Sequence, residues 1–171
     1  MDDQQKRSAG EWLDYRAPGF GELPDLDRHT ILDFVFLWSL FEAKVMRTYA
    51  KARKIGAKVD EWEAKGTLNA SCYEDELSYF RRRYFADGGL THRFYRLDLR
   101  PSDFPETVTE VIVANSESPR DKVLALLMIV WRLRNNLFHG VKWSDGLLDQ
   151  RENFTNANSV LMKVLDQHGQ F

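Results

Sequence analysis

The sequence has little of several features that define large classes of protein. Cys72 is the only cysteine among 171 residues, which excludes an internal disulfide, and it has no His or Cys partner at zinc-ligand spacing. The longest apolar run, 123–131, is far shorter than the roughly 20 residues of a membrane span, so no membrane association is expected. No P-loop or dinucleotide fingerprint occurs, so no metal and no cofactor are predicted. The polar N-terminus lacks a signal-peptide pattern, which favours a cytoplasmic location.

An excess of positive charge is also missing. Twenty-four basic residues face 26 acidic ones, and the net charge of -2 excludes a generally basic surface that holds long duplexes by counterion release. Any nucleic-acid contact must therefore be local. Hydrophobic residues make up 43% of the chain, including five tryptophans, which is enough apolar surface for a buried core. The length is normal for one domain.

Helical periodicity dominates the chain, and no alternating strand blocks or internal repeats occur. Residues 1–26 mix charge with Gly and Pro and are expected to form a partly flexible N-terminal arm, followed by a helical domain over 27–171. Segment 87–104 is expected to be a loop or a short extended piece. The predicted fold class is all-α, an up-and-down bundle of about four to six helices. The predicted helices cover about 27–54, 71–85, 105–113, 118–138 and 146–166, with a weaker one at 57–65.

The helix over 118–138 has the clearest signals. Ser118, Pro119 and Asp121 provide an N-cap, a first-turn proline and an early acid, and Gly140 is placed to end the helix. The ordinary core face is one narrow apolar stripe: Leu126, Val130, Leu133 and Leu137. A second apolar stripe lies roughly opposite: Leu124, Met128 and Trp131. A helix that is apolar on both sides must be covered on both sides, by its own bundle or by a partner subunit.

Polar residues continue the second stripe toward the C-terminus. Asn135 and His139 lie one turn apart on it, whereas Arg134 lies about 140° from His139 on a regular helix. Arg134 and His139 therefore converge within one subunit only if the Arg134 side chain curls round or the helix ends early. Two copies meeting on this face would bring both residues of each together.

The segment Arg134-Asn135-x3-His139 resembles the signature of the HEPN superfamily. That resemblance implies a HEPN-like helical domain over 27–171, a homodimer through the motif helix, and one composite cleft that cuts an RNA substrate without metal. In this chemistry His139 takes the 2′-hydroxyl proton, because a neutral imidazole suits that task. Arg134 stabilises the phosphorane, Asn135 orients the imidazole or donates to phosphate, and Lys142 adds positive charge. The expected products carry 2′,3′-cyclic phosphate and 5′-hydroxyl ends.

A defence, toxin or stress-related ribonuclease is the biological role that the resemblance implies, with a regulatory or antitoxin protein as a further partner. Some HEPN toxins are silenced by adenylylation of a tyrosine two residues past the histidine. This chain has Val141 at that position. Control by that route is therefore not expected.

Other interpretations of the motif remain open. In the simplest one, Arg134 and Asn135 are solvated near a helix end, and His139 is a cationic residue favoured there by the helix dipole. A second function is a non-catalytic HEPN-like dimerisation module that binds nucleotide, RNA or a protein partner. A third makes the chain an assembly scaffold that uses the second apolar stripe as its interface.

Glu42 lies at the centre of the apolar stripe of the first long helix, between Trp38 and Met46. Because an unpaired buried carboxylate is costly, pairing with Arg134 or Lys142 is expected. The alternatives are a structural arginine or a solvent gap. The Trp38-x2-Phe41-Glu42 pattern is also similar to the first helix of several HEPN groups.

Basic and aromatic residues alternate in two nearby segments, 81–85 and 92–96. Such residues can neutralise phosphates and stack on unpaired bases. The alternative is a solvated charged face with its aromatics in the core. The residues predicted to bind RNA are Arg82, Arg83, Arg93 and Arg96.

Overall fold

The computed structural model describes residues 7–17, 19–139 and 149–171. Within these ranges the protein is an all-α helical bundle, which confirms the predicted fold class. Two 3₁₀ turns, Ser71–Tyr73 and Pro101–Asp103, and one small hairpin interrupt the helices. None of the helices in these ranges is long and apolar enough to cross a membrane. The helices are α1 Ala9–Arg16, α2 Asp25–Lys44, α3 Ala52–Ala64, α4 Glu74–Tyr84, α5 His92–Tyr95, α6 Pro105–Ile112, α7 Pro119–Phe138 and α8 Arg151–His168.

Helix α7 is the centre of the bundle. It begins as predicted, because the Ser118 hydroxyl accepts a hydrogen bond from the Asp121 amide and Pro119 occupies the first turn. Every side chain over 123–130 is buried, and helices α3, α6 and α8 pack around it. Leu124 and Met128 of the second stripe are fully buried within this chain. The bundle itself therefore covers both apolar faces of α7. The proposed helix stop at Gly140 lies outside the described residues.

Helix α2 is shorter than its periodicity predicts. It ends at Lys44, and a new helix, α3, begins at Ala52, so the prediction of one helix over about 27–54 is wrong. Arg47 adopts a left-handed backbone conformation with φ of 59°, which breaks the helical path. Val45 and Met46 stay buried after the helix has ended. Their apolar side chains therefore continue the helical pattern in the sequence although the backbone has already turned.

Helix α8 packs along α2. Phe34 of α2 contacts Phe154 of α8 with ring centroids 4.9 Å apart, and the Asn158 side-chain amide donates to the Thr30 carbonyl at 3.0 Å. The predicted helix over about 146–166 is confirmed where it is described, since α8 runs from Arg151 to His168. Residues 146–148 lie outside the described ranges.

The region between α3 and α6 is irregular. Ser71 begins a 3₁₀ turn, and Tyr73 rather than Ser71 caps α4, so the predicted N-cap is wrong. After α4, strands β1 Phe85–Ala86 and β2 Gly89–Leu90 form an antiparallel hairpin. Asp87 and Gly88 both have positive φ, the conformation that a tight hairpin turn requires. The expected loop or short extended piece is thus a hairpin followed by the short helix α5 and a 3₁₀ turn.

The N-terminal arm contains an ordered helix. Ser8 and Glu11 form a capping box at the start of α1, yet no residue of α1 is buried. An ion pair of 2.9 Å between Asp14 and Arg28 ties α1 to α2. Helix α1 is thus attached through a surface contact and contributes nothing to the core, whereas Leu23, later in the arm, is buried.

Candidate functional site at the C-terminal end of helix α7

The three motif residues lie on the last turn and the cap of α7. Asn135 is buried, Arg134 is half-buried and His139 is exposed. His139 is the C-cap residue, and its backbone amide donates to the Asn135 carbonyl at 2.9 Å. The imidazole is therefore presented to solvent at a defined end of a rigid helix.

Aromatic rings surround the Arg134 guanidinium. Its central carbon lies 4.9 Å from the Phe138 ring centroid, 5.9 Å from that of Trp131 and 6.0 Å from that of Trp38. The two tryptophans contact each other with ring centroids 5.8 Å apart. Contacts of this kind hold a guanidinium by cation–π attraction without neutralising its charge. We call these four side chains the Arg134 box.

The Arg134 box contains donors without acceptors. Arg134 makes one hydrogen bond, from Nη1 to Oδ1 of Asn135 at 3.1 Å. Arg134 Nε and Trp38 Nε1 are buried N–H groups that have no partner within the described residues. Buried polar groups are normally paired, because leaving one unpaired costs free energy. Two buried N–H donors near the end of α7 therefore lack an acceptor among the residues that the structure describes.

Arg132, two residues earlier, has an opposite environment. Its Nε donates to the Leu97 carbonyl at 2.9 Å, and its two Nη atoms lie 3.3 Å from Asp98 Oδ2 and 3.4 Å from Asp103 Oδ2. A further contact of 3.4 Å joins Arg132 Nη2 to Asn136 Oδ1. Burial lowers the pKa of Arg132, and the carboxylates of Asp103 and Asp98 act against that shift. Arg132 is thus a paired structural cation.

Asp103 is the anionic centre of this network. Its side chain is only 3% exposed, and its Oδ2 accepts from the Arg100 amide at 2.8 Å. Its Oδ1 accepts from Trp131 Nε1 at 3.2 Å. Trp131 therefore links the two environments, since its indole N–H binds Asp103 while its ring faces Arg134.

Among the described residues, no contact between the side chains of Arg134 and His139 is observed. The helix is regular through Phe138, which keeps their positions about 140° apart around the axis. No hydrogen bond joins their side chains in the part of the chain that the structure describes. One copy therefore presents the arginine and the histidine on different sides of the same helix end.

Glu42 stabilises the loop that follows α2. Its Oε1 accepts a hydrogen bond from the Ala50 amide at 2.8 Å, which closes the turn between α2 and α3. The expected ion pair with Arg134 does not occur among the described residues, where Arg134 donates to Asn135. Lys142, the other expected partner, lies outside the described residues.

The four arginines predicted to bind RNA make different contacts. Arg83 and Arg93 both approach Asp149 Oδ2, at 3.8 and 3.2 Å, so one carboxylate partly neutralises both. Arg82 is exposed and donates to Ser78 Oγ at 2.8 Å. Arg96 is exposed, and its carbonyl accepts from Asn136.

The aromatics interleaved with these arginines are divided between core and surface. Tyr84 and Phe94 are buried and pack against each other at 6.0 Å. Tyr95 is exposed to 68%. Tyr95 is therefore the only fully exposed aromatic side chain among these four positions, 84, 85, 94 and 95, each of which the structure describes.

The sequence analysis missed Phe138, Arg132 and Asp103. Phe138 is 52% exposed at the motif and contacts Arg134. Arg132 and Asn136 stand one turn apart within an apolar helix, and that spacing is a signal that they share a buried polar partner. Nothing local to Asp103 marks it as that partner.

Among the described residues, no group of three His, Cys, Asp or Glu side chains is arranged to hold a metal ion. Comparisons of the chain with models of protein families, with curated proteins and with solved structures find no match.

Proposed function

We propose that this chain is a metal-independent RNA endonuclease of the HEPN type. The observation that carries the proposal is the environment of Arg134: aromatic rings hold its guanidinium in place, and within the described residues it has no ion pair and its Nε has no hydrogen-bond acceptor. A cation kept without a paired anion, at the same helix end as an exposed histidine, is suited to bind a phosphate whose charge increases during reaction. Arg132 supports this assignment by contrast, because the fold pairs its guanidinium fully.

The proposed reaction is an internal transesterification. The imidazole of His139 removes the proton of a ribose 2′-hydroxyl, and the 2′-oxygen attacks the adjacent phosphorus. Arg134 donates to the equatorial oxygens of the phosphorane, with Asn135 holding the guanidinium through the hydrogen bond observed at 3.1 Å. The P–O5′ bond then breaks, and the 5′-oxygen takes up a proton. The products carry a 2′,3′-cyclic phosphate and a 5′-hydroxyl.

A complete site needs two copies in this proposal. Arg134 and His139 lie about 140° apart on one helix end, so the arginine of one copy acts with the histidine of the other. The buried faces of α7 leave its C-terminal end as the contact region, where Phe138 is exposed. The same separation favours the second candidate function, a HEPN-like module that dimerises and binds nucleotide, RNA or protein without cutting.

The wider role proposed is that of a cytoplasmic defence, toxin or stress-related ribonuclease, restrained by a regulatory or antitoxin protein. The resemblance of the motif supports this role. The geometry at the end of α7 bears on the chemistry only.

The test is cleavage of an end-labelled mixed RNA pool by purified protein in EDTA, with product ends identified. We expect cutting to cyclic-phosphate ends by the wild type and by a control, His29→Ala, which removes an exposed histidine outside the motif and outside the segments 81–85 and 92–96. His139→Ala and Arg134→Ala should each lose cutting. Absence of wild-type cutting, with RNA still bound, would favour the non-catalytic module. Equal cutting by all variants would reveal a contaminant and overturn the assignment.

Mixing the two inactive variants tests the composite site. A mixed dimer of Arg134→Ala and His139→Ala holds one cleft with an intact arginine and an intact histidine. Cutting should therefore return on mixing, toward a fraction of the wild-type rate. If mixing restores nothing, the site does not combine residues of two copies.

A further inference from the structure

A groove between α2 and α8 lies away from the motif. It encloses about 530 Å³, and its apolar lining includes Phe36, Leu37, Leu40 and Met162. Phe36 is 72% exposed and Met162 is 49% exposed, which is unusual for large apolar side chains on one shared face. Asp33 adds a carboxylate to the lining and makes no ion pair with any described residue. The groove is thus apolar with an unneutralised acidic group.

Helix α1 presents the complementary surface. Trp12 is 54% exposed and Tyr15 is 72% exposed, and Arg16 lies 5.2 Å from the Tyr15 ring centroid. These three side chains share an arc of about 100° on the helix. Asp14 lies about 160° from Trp12, and it is this side that forms the ion pair with Arg28. The attachment of α1 to its own chain therefore leaves the aromatic and cationic face outward.

We propose that two copies of this chain associate by reciprocal docking of α1 into the groove between α2 and α8 of the other copy. Trp12 and Tyr15 fill the apolar groove, and Arg16 approaches Asp33. Each copy carries both surfaces, which is the condition for a closed two-fold interface in which every contact occurs twice. The charges are complementary, because α1 supplies a cation and the groove supplies an unpaired carboxylate.

The dimensions and the position of α1 fit this arrangement. Eight helical residues span about 12 Å, and the part of α2 between Thr30 and Leu40 that lines the groove spans about 15 Å. Arg28, which holds α1, precedes Thr30 on the same helix. Around α2, Arg28 lies about 160° from Thr30 and about 140° from Asp33, so α1 is attached on a different side of α2 from its own groove and leaves that groove open to a second copy.

This contact is separate from the motif. Trp38, which faces Arg134, lies about 160° around α2 from both Phe36 and Leu40. The docking of α1 therefore does not bring two Arg134 boxes together. Trp12→Ala and Phe36→Glu should therefore weaken this contact and still cleave RNA, which distinguishes failure of this contact from failure of the nuclease proposal.

The experiment is sedimentation velocity of the full chain over a range of concentrations. We expect the wild type to associate reversibly, beyond the dimer when the proposed motif contact also forms. Trp12→Ala and Phe36→Glu should each weaken this association roughly 30-fold or more, the effect of removing an interface hot spot. Tyr95→Ala removes an equally exposed aromatic elsewhere and should leave the dimer unchanged. Thermal melting checks that each variant is folded, and Asp33→Lys replaces Phe36→Glu if that variant does not fold.

Mixing identifies the occupant of the groove. The Trp12→Ala variant has an intact groove, and the Phe36→Glu variant has an intact α1. A mixed dimer therefore has one of the two wild-type contacts. We expect the mixture to dimerise more strongly than either variant alone. A wild type that stays monomeric, or a dimer unaffected by Trp12→Ala, would overturn the proposal and leave the groove to a different partner.

Discussion

Arg132 and Arg134 stand two residues apart on one helix, and the fold treats them in opposite ways. The guanidinium of Arg132 binds a carbonyl, two carboxylates and an amide. That of Arg134 binds one amide oxygen and contacts three aromatic rings. The first arrangement neutralises the charge inside the protein, whereas the second holds the side chain and keeps the charge. The comparison shows that a guanidinium can be held in place without having its charge neutralised. The environment of Arg134 is therefore the one suited to an external anion.

Removing Arg132 should give the largest effect that the difference between the two arginines predicts. Arg132→Ala leaves the buried carboxylate of Asp103 without its cation, and we expect the free energy of unfolding to fall by about 3–5 kcal/mol. Urea unfolding followed by circular dichroism measures this. Adding Asp103→Asn to that variant should recover part of the loss, because the uncompensated charge is then gone. A loss below about 1 kcal/mol would show that Arg132 is not the structural cation described.

Removing Arg134 should have the opposite effects, which are a large loss of RNA cleavage and a small loss of stability. We expect Arg134→Ala to lower RNA cleavage by about 10²–10³-fold, the effect of losing one transition-state donor. The free energy of unfolding should change by only about 1–2 kcal/mol, since the cation–π contacts and the hydrogen bond to Asn135 are lost. Arg134→Lys keeps the charge but not the planar pair of donors, and it should recover little activity. Large destabilisation without loss of cleavage would reverse the roles of the two arginines.

Glu42 provides a further test of the environment of Arg134, because its contact is with the loop and not with Arg134. Glu42→Ala removes the acceptor of the Ala50 amide and should cost about 1–3 kcal/mol of unfolding free energy. Glu42→Gln keeps a carbonyl oxygen at that position and should cost much less. Chemical denaturation of the two variants compares these costs. Cleavage by Glu42→Gln should match the wild type, and a clear loss would indicate that Glu42 acts on the motif after all.

Lys163 extends the comparison to a third cation and gives the smallest expected effect. Burial alone would raise the pKa of Glu76, but hydrogen bonds from Lys163 and Ser159 outweigh it and hold that pKa below its usual value. A carboxyl with a lowered folded pKa contributes stability above its unfolded pKa, and that stability is lost as the pH falls through the folded value.

Lys163→Met removes one of these hydrogen bonds, so acid unfolding should begin at a higher pH. A pH titration followed by circular dichroism tests this. The control is Lys51→Met, which removes an exposed lysine and should leave the acid transition in place. An unchanged transition in Lys163→Met would mean that Glu76 does not need its cation.

Local interactions made much of the fold predictable. The start of α7 depends on Ser118, Pro119 and Asp121, which lie within one turn, so the sequence predicts it correctly. The end of α2 depends on the left-handed conformation of Arg47 and on a hydrogen bond from Ala50 to Glu42. No glycine or proline in the sequence marks either of these features. The apolar periodicity therefore extended the predicted helix too far.

The candidate site also has a part that the sequence predicts and a part that it does not. Arg134, Asn135 and His139 are grouped by the helix itself, and the sequence alone identifies them as a cluster. The pairing of Arg132 was not predictable, because Asp103 comes from a separate 3₁₀ turn and Trp131, which it binds, is 28 residues away along the chain. The contact of Glu42 with the Ala50 amide was not predictable for the same reason, since side-chain partners depend on how the elements pack.

The sequence by itself determined the helical class, the cap of α7 and the position of the motif, because these depend on spacings of three to five residues along one helix. The tertiary structure decided which arginine is neutralised, which apolar stripes are covered and which aromatic side chains remain exposed. Those outcomes depend on distant segments: Asp103 reaches Arg132, and Trp38 of α2 reaches Arg134. Burial raises the cost of an unpaired charge, so packing rather than local pattern selects the arginine that stays available to a ligand.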